Sequence, residues 1–318
     1  MKTLSVRVLR RQPEATDIIS LELGASGGGL LPEFSAGSHI DIHIKPGLIR
    51  QYSLCNDPQE RSRYVIGVLR DPASRGGSVA IHDEIREGDL LTISAPRNHF
   101  PLVRARRSLL LAGGIGITPL LCMAEQLAQI HADFELHYCA RSTDRAAFRK
   151  RIAASEFASR VQYHYDDGAA EQLLDLEYLL DVPDNSCHIY VCGPTGFIDH
   201  VCNAATTAGW RAANVHYEYF GAPAPDTSGD TAFDVEIAST GEVVNIPAGQ
   251  SVADVLKRFS VDIDVACERG ICGTCVTGIL EGTPEHRDHY LSADDRARGD
   301  LFTPCCSRAK TPLLVLDL

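Results

Sequence analysis

The sequence predicts three folds in series: an antiparallel β-barrel, an open α/β domain on a parallel sheet, and a small C-terminal domain folded around a cysteine loop. Three observations carry this. Up to about residue 102, short runs alternate apolar and polar side chains between Gly and Pro clusters, the period-two signature of half-buried strands. From residue 103 to about 222 the strands become continuous apolar runs that alternate with helical stretches, as buried parallel strands do. Beyond residue 231, Cys267, Cys272 and Cys275 are separated by four and then two intervening residues, and a Cys305-Cys306 pair begins thirty positions after Cys275.

At 318 residues the chain is long enough for two or three domains with cores of their own. A net charge of −12 opposes nucleic-acid binding, which calls for basic patches. Met1 to Ser20 carries no basic-plus-apolar leader, and no run of eighteen apolar residues occurs. The expectation is a cytoplasmic protein with neither nucleic acid nor membrane as partner. Seven of the eleven cysteines lie outside the spaced set, which suits a reducing compartment. Residues 231 to 318 hold fourteen acids and eight bases, a net −6, whereas residues 1 to 102 balance at twelve of each. Half the negative charge thus surrounds the cysteine loop, as a docking field for a partner or as an ordinary solvated surface.

The first domain, 1–102, reads as a six-stranded barrel. In His39 to Ile44, apolar side chains fall on alternate positions. On the strand through Arg50-Gln51-Tyr52-Ser53-Leu54, Arg50, Tyr52 and Leu54 share one face and Gln51 and Ser53 the other. Arg can fork onto a phosphate, Tyr offers a flat surface to a ring, and the Ser hydroxyl can bond ring heteroatoms, although these residues alone also fit a plain surface strand. Arg75-Gly76-Gly77-Ser78 precedes a helix over Ala80 to Ile85. Glycines and a Ser at a helix start form an anion seat, or simply a capped turn. Two candidate phosphate seats in one barrel point to a flavin nucleotide.

In the second domain, 103–222, Ser108 to Ala112 reads as a buried strand, broken by Gly113-Gly114-Ile115-Gly116-Ile117-Thr118-Pro119 before a helix from about Leu120 to Ile130. Strands recur at Phe134 to Cys139, Val161 to Tyr165 and His188 to Cys192, followed by a second turn, Cys192-Gly193-Pro194-Thr195-Gly196. Ligands of open α/β sheets sit at such strand ends, though each turn taken singly reads as a tight connection. Asp166-Asp167-Gly168, at another strand end, can accept ribose hydroxyls and repel a 2'-phosphate, favouring NADH over NADPH, and equally reads as a solvated turn.

A Pro/Gly/Ser-rich stretch over 221–230 reads as a linker, placed at 223–230 between the nucleotide domain and the last one. In the third domain, 231–318, Phe233 to Ile237 and Glu242 to Ile246 alternate as a hairpin, Val252 to Phe259 reads as a helix and Leu313 to Leu316 as a strand. The spacing of Cys267, Cys272 and Cys275 is that of plant-type 2Fe-2S sites, whereas zinc prefers paired CxxC knuckles. Spacing alone leaves Cys305 and Cys306 both open as the fourth ligand.

Arg50 to Asp57, Arg75-Gly76-Gly77-Ser78, Ala112 to Pro119, Cys192-Gly193-Pro194 and the terminal cysteine motif together resemble the phthalate dioxygenase reductase family over the whole length. Close to it stand the vanillate demethylase and carnitine monooxygenase reductases. The resemblance implies an FMN-binding barrel, an NADH-binding α/β domain and a plant-type ferredoxin domain of β-grasp fold. It maps Arg50, Tyr52, Ser53, Gly76, Gly77, Ser78 and Thr118 onto flavin contacts. Phe220 becomes the aromatic that covers the flavin ring. Gly113, Gly114, Gly116, Thr118, Gly193 and Pro194 would hold the nucleotide, joined by Asp167, and Cys192 would abut the nicotinamide. Cys192, Thr118 and Phe220 then surround the hydride transfer, although Cys192 also reads as a buried strand-end thiol. The family ending Cys-x-Ser-Arg, matched by Cys305 to Arg308, assigns Cys305 as fourth ligand beside Cys267, Cys272 and Cys275, and puts Cys306 in an apolar slot.

NADH delivers two electrons as hydride and a 2Fe-2S cluster accepts one, so a flavin is the converter between them. The resemblance implies an NADH-dependent FMN/2Fe-2S reductase feeding a separate Rieske non-haem iron oxygenase. A stand-alone NADH oxidoreductase using a ferric chelate or quinone is the alternative enzyme. A redox-sensing cluster module is the alternative from another class, and a hydride entry argues against it.

Overall fold

The computed structural model describes residues 3–74, 76–221, 227–265 and 267–318. Arg75 and residues 222–226, which include most of the first half of the expected linker, lie outside the described residues. The chain divides into two compact units, Met1–Phe220 and Gly221–Leu318.

The first unit begins with strands β1 (Thr3–Ala15), β2 (Ile18–Ala25), β3 (Ser38–Lys45), β4 (Leu48–Ser53), β5 (Tyr64–Leu69), β6 (Leu90–Ser94) and β7 (Arg97–Asn98). They pair antiparallel in the order β4-β3-β6-β1-β2-β5, with β7 added to β3. A bridge between Leu54 and Ile66 joins the ends of that order and closes the barrel. The sequence predicts six strands; the seventh, β7, is two residues long, too short to show a period. Ile40 and Ile42 of β3 point into the apolar interior with Leu21, Leu23 and Ile66, so His39 and Asp41 face outward. Helix α1 (Gly77–Glu84) lies between β5 and β6 in the chain.

Strands β8 (Arg107–Gly113), β9 (Asp133–Ala140), β10 (Val161–Tyr165), β11 (Cys187–Gly193) and β12 (Val215–Tyr219) form an all-parallel sheet in the order β10-β9-β8-β11-β12. Helices α2 (Ile117–Gln129), α3 (Arg149–Ala153), α4 (Leu176–Leu180) and α5 (Thr195–Ala208) connect them. Helix α2 starts at Ile117, earlier than expected, because Pro119 in a first turn forgoes no hydrogen bond. The strand order reverses between β8 and β11, so both glycine turns border the topological switch point, where such sheets bind ligands.

One apolar core runs through both sheets: Ile18, Cys55, Val65 and Phe100 of the barrel pack with Leu110, Tyr138, Phe148 and Tyr190. At Gly67 of β5, an added Cβ would lie 2.8 Å from Thr118 Cγ2 and 3.1 Å from the Phe148 ring. The expected division at 102/103 therefore separates two sheets that share a core, which holds the strand ends of one against the wall of the other.

The second unit comprises β13 (Phe233–Ile237), β14 (Glu242–Ile246), α6 (Val252–Arg258), β15 (Thr277–Glu281), β16 (Pro284–Glu285), α7 (Ala293–Arg298), β17 (Leu301–Phe302), β18 (Arg308–Ala309) and β19 (Leu313–Leu316). Its sheet runs β14-β13-β19-β15-β17, with β13 and β19 parallel between antiparallel neighbours, the β-grasp pattern expected. Asp230 belongs to this unit: its carboxylate, 1% exposed, accepts from Arg287 at 2.7 Å and from the Gly249 amide at 3.1 Å, with Arg308 at 3.3 Å. The last residue of the expected linker is thus held by buried charge. Among the described residues no helix is long and apolar enough to cross a membrane.

Candidate functional site

In the second unit, the cysteine segment 267–275 enters the left-handed region at Glu268 (φ 51°), Gly270 (φ 73°) and Gly273 (φ 68°). Close packing requires the two glycines: a Cβ at Gly270 would lie 2.5 Å from Cys306 Sγ, and one at Gly273 would lie 2.1 Å from the Tyr290 ring. Cys267 Sγ accepts from the amides of Arg269 at 3.3 Å and Ile271 at 3.4 Å. The Cys272 and Cys305 side chains also interact with this sulfur, and together these donors depress the Cys267 thiol far below its ordinary range. The same interactions raise Cys272 and Cys305, the latter also close to Cys275.

Four cysteine sulfurs gathered around a loop with amides aimed at one of them form a donor set that fits a 2Fe-2S cluster. Among the described residues no three His, Cys, Asp or Glu side chains are arranged to hold a single metal ion, so the fit rests on the four-sulfur set itself. Cys306 Sγ lies 3.3 Å from Thr303 Oγ1 and 3.9 Å from Ser307 Oγ. Its slot combines the apolar cluster with Ile263 and Val265 and, on one side, the Thr303 and Ser307 hydroxyls, which bond each other at 2.8 Å.

In the first unit, Gly76 (φ 80°) leads into α1, whose N-terminus has no side-chain cap and no acid in its first turn. A Cβ on Gly77 would lie 2.5 Å from Arg50 Cγ, so the Arg50 side chain crosses this helix start in van der Waals contact. An uncapped, positively polarised helix end beside a guanidinium fits one phosphate group. Ser78 directs its hydroxyl to the 71–78 turn, accepting from the Asp71 amide at 3.1 Å. Tyr52, from the same face of β4 as Arg50, is half-buried against the barrel interior. Gln51 keeps a buried Nε2 with no protein partner, an orphan donor of the kind a ring heteroatom satisfies.

Across from β4, the ends of β8 and β11 meet backbone to backbone. A Cβ at Gly193 would lie 2.9 Å from Gly113 Cα, and one at Gly116 would lie 2.2 Å from the Cys192 carbonyl oxygen. Gly114 adopts φ 54° beside open space, and Pro194 starts α5, its carbonyl accepting from Phe197 and Ile198. Thr118 is buried, and its hydroxyl donates to Ile115 O at 3.0 Å while its methyl touches β5. Cys192 is fully buried, and burial with the nearby Glu218 carboxylate pushes its thiol well above the ordinary range. Phe220 ends the unit with 41% of its surface exposed. Asp167 stands apart, exposed beyond β10, with β9 and β8 between its strand and β11.

Sequence reasoning missed Glu218. It is the register partner of Cys192 across β11 and β12, and its Oε2 accepts from Ser53 Oγ of the barrel at 3.2 Å. Desolvation lifts its carboxyl to about 8, only partly countered by Ser53. Its strand is the half-exposed edge of the sheet, where an acid is ordinary, so the sequence carried no signal for it. Ser53, Cys192 and Glu218 thus bring barrel and sheet together at one point, with both glycine turns alongside.

Residues 235–310 match the family of 2Fe-2S iron-sulfur cluster binding domains, and residues 98–215 match the dimethylamine monooxygenase subunit DmmA-like N-terminal domain. The chain is 57% identical to the vanillate O-demethylase oxidoreductase of Pseudomonas putida, over 98% of each chain. It is 39% identical, at a TM-score of 0.76, to phthalate dioxygenase reductase, described as a modular structure for electron transfer from pyridine nucleotides to 2Fe-2S, with 99% of this chain and 98% of that one covered. At 37% identity and a TM-score of 0.87, 99% of it also overlays 41% of an intact type IV self-sufficient cytochrome P450 monooxygenase. Full-length identities of 39% and 57%, on a barrel, a parallel sheet and a β-grasp unit in that order, place this chain in the phthalate dioxygenase reductase family.

Proposed function

We propose that this chain is the reductase component of a Rieske oxygenase system, taking hydride from NADH and passing single electrons to the oxygenase. The observation that carries it is the convergence of Ser53, Cys192 and Glu218 at the strand ends of the first unit, in a chain whose second unit gathers four cysteine sulfurs. The full-length likeness to reductases named for vanillate demethylation and phthalate dioxygenation supports the reading.

Bound FMN would accept a hydride and release its electrons one at a time, and the cluster would carry them onward singly. Arg50 and the α1 amides would bind the FMN phosphate, with Gly76 and Gly77 giving it access and Ser78 bracing the turn. Tyr52 would pack on the ring, with Gln51 and Ser53 offering donors along its edge, and Phe220 would cover the other side. Gly113, Gly114, Gly116, Gly193 and Pro194 would leave room for the nicotinamide nucleotide, with Cys192 excluding water beneath it and Thr118 fixing the turn. Asp167 would meet the adenosine ribose. Glu218, its carboxyl raised by burial, would accept from the Ser53 hydroxyl and orient it. Cys267, Cys272, Cys275 and Cys305 would ligate the cluster, since Cys306 is engaged by Thr303 and Ser307.

The test is anaerobic stopped-flow spectroscopy of the holoprotein. NADH should bleach the flavin and cluster bands, and a Rieske oxygenase, a vanillate-demethylating one first, should restore them. Reoxidation by a cytochrome P450 but by no Rieske protein would transfer the partner role to a haem enzyme. A spectrum that NADH leaves unchanged would reject the reading.

A further inference from the structure

At the far edge of the parallel sheet, two imidazoles outside the flavin and nicotinamide site are joined to the turn that carries Asp167. Leu136 and Tyr138 of β9 point into the core shared with the barrel, so His137 points to the opposite face, where it is 4% exposed. His164 of β10 is its diagonal neighbour there. His137 Nδ1 lies 3.0 Å from His164 Nε2, with ring centroids 5.2 Å apart and planes at 13°, so the rings lie edge to edge in nearly one plane around an N–H···N bond. His164 Nδ1 lies 2.9 Å from the Gln172 carbonyl oxygen. A carbonyl only accepts, so with both rings neutral the hydrogen of His164 sits on Nδ1, and its Nε2 accepts from His137 Nδ1. Burial, with His164 alongside, pushes His137 below its ordinary range, which keeps that ring neutral. His137 Nε2 then bears only a lone pair, in keeping with a buried nitrogen that has no hydrogen-bond partner and stands 3.5 Å from the Glu135 carboxylate.

Gln172 in turn covers the Asp167 turn. A Cβ at Gly168 would lie 2.3 Å from Gln172 Oε1, so the Gln172 side chain rests against the Gly168 backbone. The Gly168 amide closes the turn on the Tyr165 carbonyl at 3.1 Å, and the Asp166 and Asp167 amides donate to Ala140 O at 3.1 Å and Arg141 O at 3.2 Å, at the end of β9. Residues 166–173 are all exposed, so polar contacts and not apolar burial must keep this segment in one conformation.

We propose that His137, His164 and Gln172 are positioning residues that hold Asp167 at the adenosine ribose of NADH and thereby set the preference for NADH over NADPH. It rests on the reductase reading and on the ribose contact proposed there. In the strand order β10-β9-β8-β11, the Asp167 turn is three strand spacings, roughly 14 Å, from the strand end at Cys192, which suits the far ribose of a dinucleotide laid across the carboxyl ends of the sheet. A carboxylate accepts from ribose hydroxyls and repels a 2'-phosphate only while it stays in place; on an unanchored turn, binding would also have to order it. The imidazole pair supplies that order from a buried strand outward. His137 fixes which nitrogen His164 presents to Gln172, and Gln172 fixes the turn.

The test compares NADH and NADPH as reductants of the full-length holoprotein at about pH 8, above the ordinary imidazole range, with flavin bleaching followed by stopped flow. His164→Ala should raise the half-saturating NADH concentration by roughly tenfold or more and leave the limiting bleaching rate unchanged. NADPH should lose less, so the preference narrows. His164→Asn, whose amide can donate to Gln172 O in place of Nδ1, should recover most of the loss. Because His164 acts through Asp167, Asp167→Ala should cost at least as much, and the double variant no more than Asp167→Ala alone. A second readout is independent of turnover: long-range proton–nitrogen correlation NMR of the oxidised protein should show both His137 and His164 as Nδ1–H tautomers. An Nε2–H tautomer at His164, or losses that add in the double variant, would overturn the positioning role, as would unchanged half-saturation in His164→Ala beside a raised value in Asp167→Ala. Asp167→Ala without effect would overturn the ribose contact and the proposal with it. Failure of NADH to bleach the wild-type flavin would instead overturn the reductase reading.

Discussion

Adding one methyl group at Gly77 separates the binding role of Arg50 from the stability of the barrel. In Gly77→Ala the new Cβ would lie 2.5 Å from Arg50 Cγ, 2.8 Å from Nε and 3.1 Å from Cδ. All three atoms belong to a flexible side chain, and Gly77 is not in the left-handed region, so the backbone accepts alanine while Arg50 swings aside. A glycine replaced by alanine at a compatible position stabilises by about 0.4–1 kcal/mol, through the unfolded chain. Moving the guanidinium off the helix start removes a charge-assisted contact of about 1.5–3 kcal/mol, or roughly ten- to a hundredfold in FMN affinity. Stability and affinity should therefore move in opposite directions. Fluorescence titration of apoprotein with FMN and urea unfolding measure the two. Arg50→Ala should weaken FMN to the same extent, and the double variant should be no weaker than either single one. Wild-type affinity in Gly77→Ala, or losses that add in the double variant, would refute the phosphate role of Arg50.

Cys275→Ser should abolish the cluster absorbance and leave NADH reduction of the flavin intact, because the two sites lie in separate units; a normal cluster spectrum would remove Cys275 from the ligand set. Cys306→Val should keep the cluster if Cys305 is the ligand, and its loss would reverse that choice. Glu218 has a folded-state value raised to about 8, so the folded chain holds a proton that the unfolded chain releases, and stability should fall as pH rises from about 5 through 8. Glu218→Gln should flatten that slope in urea midpoints; an unchanged slope would assign it to other groups. Asp230→Ala leaves Arg308 without its carboxylate and Arg287 with Glu285 alone, a loss of about 3 kcal/mol in the unit spanning Gly221–Leu318, visible as a lower melting transition while the flavin transition stays in place.

The parts of this molecule legible in its sequence are those fixed by backbone demands. The cysteine loop was readable because thiolate spacing and glycines at forced left-handed angles leave few alternatives: Gly270 and Gly273 abut Cys306 and Tyr290 and accept no side chain. The parallel sheet was readable because strands buried on both faces are apolar throughout, as Leu109 to Ala112 are. Asp230 was read as linker because composition marks the flanking residues, whereas its membership in the second unit depends on two arginines more than fifty residues away.

Glu218 and His39 escaped the reading for a common reason: each derives its meaning from a neighbour that only pairing register supplies. Period-two faces could be assigned within β3, β4 and β12 separately, yet a sequence does not state that Ser53 lies beside His39 on one side and reaches Glu218 on the other. Polar residues on the outer face of a barrel strand look solvated until a second sheet covers them. Here the shared core of Phe100, Tyr190 and Phe148 brings that sheet up, so that Ser53 meets Glu218. Burial lifts Glu218 to about 8 and drives His39 to about 3, since burial favours the neutral form of acid and base alike. A raised carboxyl and a lowered imidazole are the two opposite outcomes of desolvation, which penalises whichever form is charged.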